Sequence, residues 1–253
     1  MEDKKITPAY RVLRGLIRFF YPRIKVVGAE NLPAEASIIV ANHSQMNGPI
    51  AGELHFPGPH YIWCAAQMMH AKEVPGYAFT DFWSFKPRRV RWLYRILSYL
   101  IVPLAVCLFN NAHTIPVYRD ARVMSTFRET IARLREGANV IIFPERNEKY
   151  NHILYAFQDR FIDIARFYHH QTGVELCFVP MYVAPKLRQM VIGKPVRFNA
   201  AAPIEQERQR ICEAMMAEIT RLAEELPPHT VVPYRNIPRR EYPTNQPNEV
   251  KHS

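Results

Sequence analysis

Short runs dense in Val and Ile alternate along the chain with longer stretches in which apolar positions recur every three to four residues. The short runs fall at 24–27, 37–41, 114–118, 139–143, 176–183 and 189–192. Bounded by Gly, Pro or Asn, they read as strands. Helices are expected between them. The clearest covers 121–136, where Val123, Phe127, Ile131 and Leu134 form one stripe. Asp120 suits its N-cap and Gly137 its stop. A second helix is expected over 153–170. A third covers 204–226, with Ile211, Met215, Ile219, Leu222 and Leu226 on one face. Strands alternating with helices predict an α/β fold: a mixed, largely parallel sheet flanked by helices. No internal repeat interrupts this order. Residues 227–253 are polar and rich in Pro, and read as a loose tail behind a core domain of residues 24–226.

One helical pattern is different in kind. At 10–21, Val12, Leu13, Leu16, Ile17, Phe19 and Phe20 alternate with Arg11, Arg14 and Arg18. A basic helix with Phe and Leu on its other face suits a bilayer interface, so residues 1–23 are expected to contact a membrane. The plainer reading is a surface helix docked on the core. A second candidate is the uncharged stretch 96–109, preceded by Lys86, Arg88, Arg89, Arg91 and Arg95. As a helix it would reach ~21 Å, against ~30 Å of hydrocarbon. Pro103 interrupts it, so a re-entrant or interfacial segment fits better than a span; a buried core helix is the alternative. The nearby aromatics Phe79, Phe82, Trp83 and Phe85 would either line an acyl groove or pack in the core.

Charge supports an anionic partner. The 253 residues carry a formal +10. The stretches 4–29 and 82–119 hold seven and six cations respectively, and no acid. Because these cations are interleaved with aliphatic blocks rather than exposed aromatics, an anionic lipid surface is expected and nucleic acid is not. The polar, charged start shows no secretory signal, and Cys64, Cys107, Cys177 and Cys212 form no close pair. The chain is therefore expected at the cytoplasmic face of a membrane, peripheral or monotopic. Dinucleotide, P-loop and G-x-S-x-G signatures are missing, and the spacing of His55, His60, Cys64 and His70 matches no metal pattern. Neither a metal nor a bound cofactor is expected.

The chemistry concentrates in 26–48, VVGAENLPAEASIIVANHSQMNG. The expected strand 37–41 ends in Asn42-His43, which places a His at the carboxyl end of a strand, where α/β proteins build sites. This stretch resembles the glycerolipid acyltransferase family, typified by 1-acylglycerol-3-phosphate acyltransferases. The family shows G-x-E-N-L-P, an apolar strand, then N-H-x-x-x-x-D. Gly28, Glu30, Asn31, Leu32, Pro33, Asn42 and His43 match. Later blocks follow in order: Ile115-Pro116-Val117-Tyr118-Arg119, Phe143-Pro144-Glu145, Val179-Pro180 and Ile192-Gly193-Lys194-Pro195. The resemblance spans about 24–200.

It implies acyl transfer from acyl-CoA or acyl carrier protein, as co-substrate, to a lysophospholipid or glycerol phosphate. His43 would be the general base, because a hydroxyl attacks a thioester well only when a base takes its proton. Arg119 would hold the phosphate. Glu145 would orient polar groups of the acceptor. Two departures stand out. The motif Asp position is Gly48, which leaves Asn47, after a one-residue loop shift, or a distant acid such as Glu53 or Asp81 to support the His. After Glu145, the expected G-T-R-S reads Arg146-Asn147-Glu148-Lys149, so Arg146 would supply the cation from another turn. If the family's loop register holds, Gly48→Asp should keep or raise activity. Two readings follow: an active acyltransferase, or a catalytically silent relative that binds lipid at a membrane. A carboxylate within reach of a His43 ring nitrogen favours the first. Apolar or backbone groups alone favour the second.

Overall fold

The computed structural model describes residues 7–118 and 120–246. Its first elements are α1 (Pro8–Phe20), β1 (Lys25–Val27), β2 (Ile38–Ala41), α2 (Asn47–His55), β3 (His60–Ala65) and α3 (Val74–Ala78). Next come α4 (Arg91–Leu100), α5 (Val102–Asn111), β4 (Thr114–Val117), α6 (Val123–Arg135), β5 (Asn139–Ile142), β6 (Glu145–Tyr150) and β7 (Tyr155–Phe157). The last are α7 (Asp163–Thr172), β8 (Cys177–Ala184), β9 (Gln189–Ile192), β10 (Val196–Arg197) and α8 (Ile204–Glu224). Two compact units result. One holds the described residues up to Pro22 together with Tyr61–Glu129. The other holds Arg23–His60 together with the described residues from Thr130 onward.

In the second unit the strands run in the order β1-β9-β8-β2-β5. The pairs β1–β9, β8–β2 and β2–β5 are parallel, while β9 and β10 join β8 antiparallel. The expected mixed, largely parallel sheet flanked by helices is the observed one. All four residues of β2 and all eight of β8 are buried. That explains their unbroken apolar runs: both faces of a central parallel strand are covered. The inner face of α8, Ile211, Met215, Ile219 and Leu222, is buried as its spacing requires. Ahead of β2, Gly28 turns the chain at φ +78°, and a Cβ there would lie 2.2 Å from the Ile192 carbonyl oxygen. Asn31 Nδ2 donates to that same oxygen at 2.8 Å. The G-x-E-N-L-P block is thus a clasp onto the end of β9.

Two expectations are corrected in this unit. Residues 153–170 are not one helix. Asn151 Oδ1 accepts the N–H groups of Ile153 (3.2 Å) and Leu154 (2.7 Å), so the chain folds back as the β6–β7 hairpin, and α7 begins only at Asp163. Nor are the described residues from 227 to 246 a loose tail. Val231 and Val232 are buried, and a bridge joins Thr230 to Thr244. The buried Asn245 accepts from His229 N (2.8 Å) and donates to the carbonyls of Ala223 (2.8 Å) and Leu226 (3.0 Å). Residues 247–253 lie outside the described part.

In the first unit β3 and β4 form a parallel pair. Thr7 caps α1, its Oγ1 accepting Tyr10 N–H at 3.3 Å, and Thr7 N donates to Asn111 Oδ1 of α5 at 3.3 Å. Tyr10 is the one buried residue of α1; Phe19 and Phe20 are 80% and 79% exposed. The stretch 96–109 is neither one helix nor a buried one. Pro103 sits in the first turn of α5, and the axis bends by 46° between α4 and α5. Its inner positions Ile101, Val102, Val106 and Phe109, with Phe82, pack against Met68, Val74 and Ala105. The outer positions of α4 and α5, Trp92, Leu93, Ile96, Tyr99, Leu100 and Leu104, are exposed. Among the described residues no single helix is long and apolar enough to cross a membrane; α4 and α5 pass that test only as a bent pair.

Candidate active site

Adjacent parallel strands deliver the two motif residues to one edge. Past the end of β2 comes Asn42-His43; past the end of β5 comes Phe143-Pro144-Glu145. The buried Asn42 staples β2 to β8: its Oδ1 accepts Val183 N–H at 2.7 Å, and its Nδ2 donates to the Val183 carbonyl at 3.0 Å and to Ser44 Oγ at 2.8 Å. His43 is thereby fixed in place before its side chain makes any contact.

The loop after it is strained. Ser44 and Gln45 both have left-handed backbones, φ 45° and 55°. Such non-glycine residues cost about 1–3 kcal/mol each and persist only where their surroundings impose them. The consequence is local and chemical: the Gln45 carbonyl turns back onto Nδ1 of His43. A carbonyl only accepts, so Nδ1 carries the proton and the lone pair is left on Nε2. Among the described residues no partner bonds Nε2, and no carboxylate bonds either ring nitrogen. The ring lies between Phe143 (5.3 Å between centroids) and Tyr234 (5.2 Å). Burial pushes its pKa down to about 4, so it is neutral at physiological pH.

Asn47 does not take the place of the motif Asp. Its Nδ2 donates to the Ser44 carbonyl at 3.0 Å, and the proton of Nδ1 goes to the Gln45 carbonyl instead. Gly48 is buried at the start of α2. A Cβ there would meet the carbonyl oxygens of His43 (2.6 Å) and Asn42 (2.7 Å) and the Phe143 ring (2.8 Å). The family's aspartate has no room at this position, so the conditional expectation that Gly48→Asp keeps activity does not fit this loop.

Glu145 is also placed differently from expectation. It is buried, and its two oxygens accept the backbone N–H groups of His43 (2.7 Å) and Tyr155 (2.9 Å). It ties the His43 loop to the β6–β7 hairpin rather than reaching for a substrate. Burial raises its pKa to about 7 against the pull of those two donors. Arg146 is exposed and pairs with Glu148 at 3.1 Å. Arg119 lies outside the described residues. Sequence reasoning missed Gln45, Tyr234 and Tyr242, whose hydroxyl accepts from Gln45 Nε2 at 2.8 Å. Gln45 falls on a variable position of the N-H-x-x-x-x-D block, and the two tyrosines come from the presumed tail.

The two shifted groups act oppositely on stability. Glu145 is raised in the fold, so it contributes most below its unfolded value near 4.5 and loses this as pH rises to about 7. His43 is lowered, so its contribution is complete above 6.5 and is lost as pH falls to about 4. Each is worth about 3 kcal/mol, at ~1.4 kcal/mol per pKa unit. The two trends offset each other between pH 4.5 and 6.5. Urea unfolding of Glu145→Gln should therefore show stability rising from pH 4 to 6.5, and His43→Ala the reverse slope up to pH 7. Parallel curves for the two variants would contradict this assignment.

No protein-family model matches the chain, and no significant match is found among curated proteins. Among solved structures, the chain is similar to the crystal structure of the 1-acyl-sn-glycerophosphate (LPA) acyltransferase PlsC from Thermotoga maritima. The two are 20% identical with a TM-score of 0.48, over 90% of this chain and 86% of that one.

Proposed function

We propose that the chain is an O-acyltransferase that moves a fatty acyl group from acyl-CoA or acyl carrier protein to a hydroxyl of a lysophospholipid or glycerol phosphate. The observation that carries this reading is His43 itself: at the carboxyl end of β2, neutral, its Nδ1 proton given to the Gln45 carbonyl and its Nε2 lone pair unbonded among the described residues. The motif blocks supply the reaction class. Nε2 takes the acceptor's hydroxyl proton, and the oxygen attacks the thioester carbonyl carbon. The C–S bond then breaks, and the departing thiolate receives the proton from the imidazolium.

A neutral carbonyl orients the ring but adds no charge to stabilise that imidazolium. No carboxylate bonds either ring nitrogen among the described residues, so the criterion drawn from the sequence favours a second reading, a lipid-binding relative without catalysis, while the tautomer and the motif blocks support the first. A substrate panel separates the two. Labelled acyl-CoA and acyl carrier protein are offered to the protein in liposomes with lysophospholipids and glycerol phosphate. Acylated product from any pair supports the enzyme. No product from a folded, liposome-bound protein supports the silent relative.

The reading includes a peripheral or monotopic place on the cytoplasmic face of a membrane containing anionic lipid. The first unit carries the chemistry for it. On α1, Val12, Leu16, Phe19 and Phe20 are exposed beside Arg11, Arg14 and Arg18; on α4, Trp92, Leu93, Ile96 and Leu100 are exposed beside Arg88, Arg91 and Arg95. Each Phe side chain moved out of water contributes about 1.5–3 kcal/mol. Replacing Phe19 and Phe20 by Asp is expected to weaken co-sedimentation with anionic vesicles by about 100-fold or more. Unchanged binding would remove α1 from the membrane contact.

A further inference from the structure

The left-handed Ser44–Gln45 turn raises the question of what holds it. Within the loop, Asn47 N–H donates to the Ser44 carbonyl at 3.0 Å and Gly48 N–H to the His43 carbonyl at 3.0 Å, and Ser44 Oγ accepts from Asn42 Nδ2 at 2.8 Å. The Gln45 side chain points elsewhere, donating from Nε2 to Tyr242 Oη at 2.8 Å, across 197 positions of sequence.

Tyr242 is itself anchored. Next to it, Pro243 accepts Val231 N–H at 2.9 Å, and Asn245 exchanges backbone and side-chain bonds with His229. Asn245 ties to the end of α8, and the buried His229 bonds Tyr182 Oη on β8 at 2.9 Å. From the same segment, Tyr234 lays its ring against His43. A continuous set of contacts therefore runs from β8 and α8, through residues 227–246, to the carbonyl that holds Nδ1.

We propose that this carboxyl-terminal segment is a strap over the His43 loop, and that Tyr242 is a positioning residue which acts through Gln45 to aim the Gln45 carbonyl at Nδ1 of His43. The inference rests on the proposed role of His43 as base, but its geometry is testable without the reaction.

The titratable groups around His43 are Glu145 from the β5–β6 junction, bonded to its backbone N–H, and Tyr234 and Tyr242 from the strap. The test is a nitrogen-15 NMR titration of His43 in the full chain, wild type beside Tyr242→Phe, Gln45→Ala and the double variant. Wild type should show a single tautomer protonated at Nδ1 and a midpoint well below 6.5. Tyr242→Phe and Gln45→Ala should each mix the tautomers and move the midpoint further below 6.5, because the carbonyl bond that favours the protonated ring is weakened, and the double variant should show no further change, because both cut one connection. A thermal melt of each variant confirms that it is folded. Should Tyr242→Phe unfold the chain, Gln45→Ala, which keeps the carbonyl, carries the same comparison.

In the transfer assay the same variants should lower kcat by about 10-fold or more with KM unchanged, as for lost orientation. An unshifted tautomer and midpoint in the folded single variants would overturn the proposal, whatever the assay shows. Absence of product from wild type would count against the acyltransferase reading and leave the titration result standing.

Discussion

Gly48→Asp, the change that writes the family's aspartate into this loop, is expected to destabilise the protein and abolish the proposed acyl transfer. The Cβ alone decides this. It would lie 2.6 and 2.7 Å from two backbone carbonyl oxygens and 2.8 Å from the Phe143 ring. The carbonyls belong to His43 and Asn42, and Asn42 is stapled to β8 on two hydrogen bonds, so neither yields cheaply. Overpacking of this kind costs about 1–3 kcal/mol and sometimes more, and a buried carboxylate facing carbonyl oxygens adds repulsion. Gly48→Ala separates size from charge: it should lose most of the same stability, because it brings the same Cβ. Denaturant midpoints of the two variants, measured beside their turnover, check this. A Gly48→Asp protein as stable as wild type and more active would mean that the loop adopts a different register from the one described.

His43→Ala carries the second large effect. General base catalysis contributes about 10²–10⁴-fold, and that is the loss expected in kcat/KM while the fold persists. The residue's setting sharpens this. In the serine-protease template, replacing the supporting aspartate by an amide costs about 10⁴ because the wrong tautomer results. Here the Gln45 carbonyl imposes the useful tautomer, so that part of the loss is avoided; what is missing is the negative charge that would stabilise the imidazolium. The ring pays for its burial in basicity, with a pKa near 4. Activity per free enzyme should therefore hold on the acid side down to about pH 4–5, rather than falling away at 6.5. An acid limb near 6.5 would indicate a ring more hydrated than the one described.

The strongly periodic elements were readable in the residues alone. The sheet's central strands were visible because full burial on both faces leaves unbroken apolar runs, and α8 because Ile211, Met215, Ile219 and Leu222 repeat at helical spacing. β3 was not, since His60, Tyr61, Trp63 and Cys64 carry neither alternation nor a Val-Ile run. The β6–β7 hairpin was hidden as well, because its turn is an Asn151 side chain bonding two backbone N–H groups inside a stretch with good helical spacing.

The candidate site shows the same division. His43 and Glu145 are legible as candidates because they sit in motifs at strand ends. Gln45 is not legible because its contribution is a backbone carbonyl, which any residue possesses and no side-chain pattern reveals. Tyr234 and Tyr242 are not legible because composition makes their segment look unfolded; its order comes from scattered tertiary contacts of His229, Val231 and Asn245. Glu145 is expected from its motif to face the acceptor, and only the fold discloses that the His43 and Tyr155 N–H groups claim both of its oxygens.

The most direct test of the account is the rate of acyl transfer by wild type and His43→Ala, measured side by side in anionic liposomes with the best donor and acceptor from the panel, both proteins first shown to be folded and vesicle-bound. The account predicts product from wild type and a rate about 10²–10⁴-fold lower from the variant. Equal rates would contradict the assignment of His43 as the base.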